Sequence, residues 1–431
     1  MKIHITLVGL ISCALSSFAQ TAPSGIVWDD ERYLSLPFKQ DYGKEKVSMP
    51  ARTSLKLFCP DVINQKSFAT SAAWAAAWYG LTMAESISCI EGNRNTINAN
   101  AFSPMYPYRL VNTKDDCESP ISLTEVMEVL SEYGTPRFKE FSDLCAPQVS
   151  TSLGPLARAN KLDGFVKLFN PFDTRELKVN AIRKALHESH PVVIGMVTPP
   201  SLNLADEFWQ PRENADSSYS AQALCIVSYD DEKFGGAVEV VNQWGKSWGN
   251  EGFTWIRYKD IAKFARYGFE LFHGSACFPA PQANAVIYNQ NGVVIDELIL
   301  SNQLHRVDGT LPVGSKFRIE IRTNTGSFVY ILFKEGDLKV VSLFPDKRVY
   351  PYVSRNVTLP SETAHYELEG PPQVNELYFV VSKRQLDNDL LRAYLENGSL
   401  AIPSKGDPTL LDINSSYRDD IRLSIVQLAQ R

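Results

Sequence analysis

The chain has 431 residues, of which 44% are hydrophobic, 21% charged and 11% aromatic, a balance that excludes a disordered or fibrous polypeptide and allows two or three domains. Its net charge of −6 comes without any Lys/Arg run longer than two, which excludes an electrostatic nucleic-acid binder. Beyond the N-terminus no apolar run approaches the roughly 20 residues of a membrane-spanning helix. Residues 1–19 read as a signal peptide: Lys2, an apolar core from Ile5 to Leu15, then small residues at Ser17 and Ala19, which would make Gln20 the first mature residue. A second processing route is also written there, because Leu10-Ile11-Ser12-Cys13 fits a bacterial lipoprotein box, and acylation of Cys13 is the one route to membrane contact. Either route exports the chain, so a periplasmic, outer-membrane-associated or secreted location is expected.

Residues 20–53 are polar and irregular and read as an N-terminal extension or strap. An Ala-rich helix is expected over 67–88, buried on all faces because few polar residues interrupt Trp74, Trp78, Leu81 and Met83. Ser122 caps a helix over 123–133 that Gly134-Thr135-Pro136 stops. A further helix over 176–187 leads through Pro191 into a strand at 192–196. After a polar loop over 199–220, strands are expected at 223–229, 237–242 and 253–258. Helices first and strands later predict an α+β domain with two packed halves.

Composition shifts at Pro279-Ala280-Pro281. Strands are expected at 316–323, 327–334, 339–343 and 376–381, with hairpin turns at Asn324-Thr325-Gly326 and Glu335-Gly336-Asp337. Phe317 to Arg322 alternates apolar with charged residues, the pattern of one-sided burial. The predicted organisation is therefore 1–19 leader, 20–53 extension, 54–280 α+β domain, 281–385 β-rich sandwich-like domain, and 386–431 a helical or irregular tail with a helix over 385–397.

Past the leader stand Cys59, Cys89, Cys117, Cys145, Cys225 and Cys277, and six cysteines allow 15 full pairings. Cys225 lies in the apolar run 223–227 and is expected as a reduced core thiol. His187 and His190 end a helix before Pro191 and are expected as solvated imidazoles, since no further metal ligands lie nearby in sequence. No metal or other cofactor is expected. Gly245-Lys246-Ser247 is not a phosphate loop, because Val240 stands where that motif needs glycine. Asn356, Asn397 and Asn414 lie in glycosylation sequons that matter only in a eukaryotic secretory host. Trp209 and Tyr106 to Tyr108 are expected to pack in a core.

Two distant segments read as two walls of one site. The first is Asn64-Gln65-Lys66-Ser67-Phe68-Ala69-Thr70-Ser71 at the head of the Ala-rich helix. The second is the strand from Gln222 and the run Asn242-Gln243-Trp244-Gly245-Lys246-Ser247-Trp248-Gly249-Asn250-Glu251-Gly252. Together they resemble the papain family of cysteine peptidases, in particular its bacterial exported branch, over residues 54–278. The resemblance implies a two-lobed fold and assigns positions: Gln65 to the oxyanion-hole glutamine, Ser71 to the nucleophilic cysteine, Gln222 to the general-base histidine, Asn242 to the asparagine that orients it, and Trp244 to its shield. Trp248 completes the tryptophan pair, and the two are candidate binding residues.

Two of these positions depart from the family. A hydroxyl needs a general base to attack a carbonyl, and an amide at Gln222 accepts no proton near neutral pH. Lys66 and Ala69 replace the family's glycines, at a cost of about 1–2 kcal/mol each if they take positive φ. Losing a nucleophile and its base typically lowers turnover on the order of 10⁶-fold. The expected function is an exported pseudopeptidase that holds a protein or peptide in its cleft, with Gln65, Ser71, Gln222 and Asn242 present but non-catalytic. Two alternatives stay open: a hydrolase using another nucleophile, and a structural subunit of a cell-envelope complex. Residues 301–382 resemble a bacterial accessory domain found behind peptidase-like modules.

Overall fold

The computed structural model describes residues 25–38, 49–114, 116–145, 148–216, 218–273, 283–300, 304–323, 326–336, 339–346, 349–353, 356–361, 363–383, 385–396 and 421–431. The leader, Cys13, Cys277 and the expected boundary at 279–281 lie outside them. The chain mixes helix and sheet throughout. Among the described residues no helix is long and apolar enough to cross a membrane.

The first body packs helices against an eight-stranded sheet. Its strands run Gly164–Lys167, Ala265–Phe272, Val192–Thr198, Ser220–Asp230, Ala237–Val241, Phe253–Arg257, Phe208–Trp209, with Arg52–Ser54 also pairing Ser220–Asp230. The Ala-rich segment forms a central helix from Ser71 to Ser88 whose middle, Trp74–Leu81, is wound as a π-helix with every residue buried. Its composition follows from close approach to the sheet. A Cβ at Gly80 would come within 2.8 Å of Leu271 and 2.9 Å of Val193, so only small residues fit that face. Helix Leu123–Glu132 is capped as expected, with Ser122 Oγ accepting from Glu125 N–H at 3.3 Å. Helix Arg175–His187 is capped by Thr174.

The loop expected over 199–220 is more ordered than its polarity implied. It carries a 3₁₀ turn, Pro200–Leu204, and the short strand Phe208–Trp209, whose buried Trp209 donates its indole N–H to Ser201 Oγ at 3.1 Å. Tyr106 and Tyr108 are core residues too. Cys117 and Cys145 form a disulfide, Cys89 is also disulfide-bonded, and Cys59 and Cys225 are buried free thiols.

The second body is a sandwich of a four-stranded sheet and a seven-stranded sheet. Ile319 and Ile321 from one meet Val329, Ile331, Leu377 and Phe379 from the other. Here two sequence expectations are corrected. Strand Lys316–Thr323 does not form a hairpin with Ser327–Lys334. It pairs with Ala283–Asn289 in the first sheet, while Ser327–Lys334 pairs with Val340–Phe344 and Val374–Ser382 in the second. The patterns explain the split. Lys316–Thr323 has one apolar face, whereas Phe328, Tyr330 and Leu332 also need cover on the face away from the sandwich. That cover comes from helix Asn388–Glu396 and from Val166 and Phe272 of the first body.

The second correction concerns the tail. Residues 386–431 are not only helical or irregular, because Ile421–Ala429 is a strand inside the seven-stranded sheet, parallel to Leu304–Val307 and antiparallel to Val374–Ser382. Its sequence alternates Ile421, Leu423 and Ile425 with Arg422 and Ser424, a strand signal that the expectation of a helical or irregular tail passed over.

Candidate functional site

The residues singled out from the two sequence segments converge where the central helix meets the sheet. The turn before the helix holds Gln65 through backbone bonding to Gln243 O at 2.8 Å. Lys66 takes φ 62, the conformation for which glycine is suited, and Asn64 Oδ1 accepts its N–H at 2.8 Å. Ala69 carries no positive φ, so of the two substituted glycine positions only Lys66 is strained. Ser71 begins the helix.

Opposite, strand Ser220–Asp230 presents Gln222 in register with Met196. Ala223 N–H donates to Ser71 Oγ at 3.2 Å, tying the helix head to the strand. Asn242 follows strand Ala237–Val241. Its Oδ1 accepts the Gln243 N–H at 2.8 Å and its carbonyl accepts Tyr79 O–H at 3.1 Å. The tryptophan-glycine run then coils back with Gly245, Gly249 and Gly252 at φ 85, 59 and 90. A Cβ at Gly249 would strike Phe253 O at 2.3 Å, which is a physical reason for glycine there. Trp244 and Trp248 cross edge to face at 5.6 Å, and Trp248 donates its indole N–H to Leu202 O.

The structure thus brings Gln65, Ser71, Gln222 and Asn242 together, all at 0% exposure. None of the four titrates. Gln65 directs its amide N–H₂ to Phe68 O at 2.9 Å, so that donor is already engaged within its own turn. Gln65 Oε1 and Asn242 Nδ2 are buried with no hydrogen-bond partner among the described residues. Histidines stand elsewhere: His190 beside Glu270, His273 beside Asp163, His305 beside Glu297, with His187 at a helix end and His365 in the second body.

What the sequence left unassigned is the occupant of the cleft. Residues 25–38 cross it. Gly25 N–H donates to Ala221 O at 2.8 Å, and Ile26–Val27 pairs in parallel with Ile121–Ser122. A Cβ on Gly25 would lie 1.9 Å from Ser71 Oγ and 2.9 Å from Gln222 Oε1, so the glycine backbone rests directly on both. The helix Asp30–Ser35 then pins the strap to both sides. Arg32 pairs with Glu125 and Glu128, Asp30 pairs with Arg266 and Tyr267, and Tyr33 O–H donates to Phe169 O at 2.7 Å. Gly25 was a detectable signal only as a lone glycine in a polar segment, which marks nothing by itself.

The free thiols of the described residues are unsuited to attack. Cys59 and Cys225 are fully buried, and burial pushes the Cys59 thiol up to about 12 and Cys225 well above its ordinary value. The Cys225 expectation of a reduced core thiol is met.

No family model matches the chain, and no curated protein matches it. Several solved structures do. Xylellain, a cysteine protease from Xylella fastidiosa, is similar at 18% identity over 59% of this chain and 97% of its own, with a TM-score of 0.47. The digestive procathepsin L2 proteinase from the larval midgut of Tenebrio molitor is similar at 14% identity over 60% of this chain and 81% of its own, TM-score 0.48. The Amb a 11 cysteine protease of ragweed pollen, in its proform, is similar at 18% identity over 58% of this chain and 75% of its own, TM-score 0.44.

Proposed function

We propose that the chain is an exported papain-like pseudopeptidase: its cleft recognises extended polypeptide but does not cut it, and the strap 25–38 is the segment that fills the cleft at rest. One observation carries this reading. Ser71 Oγ is completely buried beneath Gly25, bonded to a backbone N–H, and faces an amide where catalysis needs an imidazole. A partner peptide enters only by exchanging with the strap, whose strand Ile26–Val27 already shows the extended backbone pairing such a ligand would copy. The Cys117–Cys145 disulfide supports an oxidising destination.

The competing reading is a hydrolase with another nucleophile. The burial and raised pKa of Cys59 and Cys225 weigh against it. A peptide-library cleavage assay on the wild type and on Ser71→Ala tests both readings. The expected result is no turnover from either protein. Turnover that Ser71→Ala abolishes would overturn the proposal, and turnover that survives Ser71→Ala would favour a nucleophile elsewhere.

A further inference from the structure

A second cluster of chemistry-bearing side chains lies where the two bodies meet, and the cleft does not use it. Helix Arg175–His187 ends with His190 N–H bonded to Ala185 O at 2.9 Å and Ser189 N–H to Leu186 O at 3.0 Å. This is a Schellman ending, with Ser189 at φ 64 in the place glycine usually takes. The turn aims Glu188 and His190 at Glu270 on strand Ala265–Phe272. His190 Nδ1 stands 2.6 Å from Glu270 Oε1 and 3.9 Å from Glu188 Oε2. One donor atom from each of the three lies within 4.8 Å of the others. His190 is therefore not the solvated imidazole its sequence context suggested, since its side chain is 13% exposed and that of Glu270 only 2%.

We propose that Glu188, His190 and Glu270 form a binding site for a divalent transition-metal ion of the zinc type, at the seam between the two bodies. Three physical arguments support it. Donor atoms around a tetrahedral Zn²⁺ with bonds of about 2.0–2.1 Å sit roughly 3.3 Å apart. The observed 2.6 and 3.9 Å bracket that value and all three donor atoms lie within 4.8 Å of one another, so side-chain shifts of about 1–2 Å open the position. The carboxylates of Glu188 and Glu270 both face the His190 ring, and a cation placed among them would offset the repulsion between the two. A mixed nitrogen and carboxylate set without thiolate suits Zn²⁺ or Co²⁺ over Cu⁺.

The surroundings fit the same assignment. His190 Nε2 lies 3.2 Å from Tyr352 Oη, which comes from the second body. With a metal on Nδ1, an Nε2–H donated to that oxygen would supply the usual outer partner of a ligating histidine. Burial keeps the Tyr352 phenol protonated, and the Phe272 ring edges onto the imidazole at 4.9 Å. The ion would join a helix end and a strand of the first body while its outer shell reaches the strand Tyr352–Val353. Three protein ligands leave the fourth position to water, and the site is independent of the cleft and of the strap.

The test uses the full chain, stripped with EDTA and desalted, then titrated with ZnCl₂ by calorimetry and with CoCl₂ by visible absorption. One ion per chain, tetrahedral Co²⁺ ligand-field bands and a Zn²⁺-dependent rise in unfolding temperature are expected. Glu270→Gln and His190→Asn should abolish stoichiometric binding, Tyr352→Phe should weaken it about 10–100-fold, and His273→Asn, at the seam's other histidine, should leave it intact. Absence of saturable binding to the wild type overturns the proposal, as does binding that persists in both Glu270→Gln and His190→Asn. Because those variants could fail to fold, crystals of the wild type grown with ZnCl₂ supply a second reading. An anomalous peak among Glu188, His190 and Glu270 supports the site, and peaks only elsewhere overturn it.

Discussion

The cleft at Ser71 and the seam at His190 flank the same strand, Val192–Thr198: Gln222 pairs beside Met196 at one end and Glu270 beside Val192 at the other. The first is built from hydroxyl, amide and backbone groups, none of which titrates, and a strap seals it. The second gathers two carboxylates, an imidazole and a phenol, and it holds two bodies together. The contrast teaches where this chain tolerates charge. At the cleft, an unpaired buried ion would cost several kcal/mol, and neutral groups avoid that penalty. At the seam the charges are packed against partners, so removing one strands the rest.

The largest expected effect follows from that difference. Glu270→Ala should destabilise the chain by about 3–5 kcal/mol, because it leaves the buried His190 Nδ1 without the carboxylate 2.6 Å away. Ser71→Ala should cost less, about 1–3 kcal/mol, because the buried Ala223 N–H loses a neutral acceptor. Urea unfolding of both variants in chelator measures the gap, and equal losses would break the comparison.

Gly25→Val comes next. The added side chain runs into Ser71 Oγ and Gln222 Oε1, and overpacking of this kind costs about 1–3 kcal/mol. Because the clash is local, the expected readout is faster hydrogen exchange over residues 26–36 and earlier proteolysis of the strap, with the seam unchanged. Adding Ser71→Gly should recover part of the protection by removing the struck atoms. No recovery would mean that the strap is held by Asp30, Arg32 and Tyr33 alone.

The smallest effect concerns the thiols. Cys59, pushed up to about 12 in the folded protein, ionises near 9 once unfolded. The unfolded chain therefore loses its proton first, so stability falls as pH rises between about 9 and 12. Cys59→Ala should flatten that part of the stability profile. At pH 8 a thiol reagent should label neither Cys59 nor Cys225 until denaturant is added. Rapid labelling of the native chain would reopen the case for a reactive thiol.

The local wording of the site was legible in the sequence. The fixed step from Gln65 to Ser71, the asparagine and the tryptophan-glycine run name positions that the fold does bring together, because turn glycines and a buried helix head leave a chemical signature in the residues themselves. The Ser122 cap and the alternation in Lys316–Thr323 were legible for the same reason. Partners in space were not. The patterns of residues 316–334 show that one strand buries one face and the other both, but not which strands each will pair with, and nothing around His190 points to a glutamate 80 residues away.

Residue chemistry alone determined that Ser71 and Gln222 lack an acid–base pair, since that property belongs to a hydroxyl and an amide in any fold. Tertiary structure alone decided that Gly25 covers them, that residues 421–429 complete a sheet, and that Glu188, His190, Glu270 and Tyr352 meet. Those outcomes depend on long-range packing, where burial and register select among many locally equivalent arrangements.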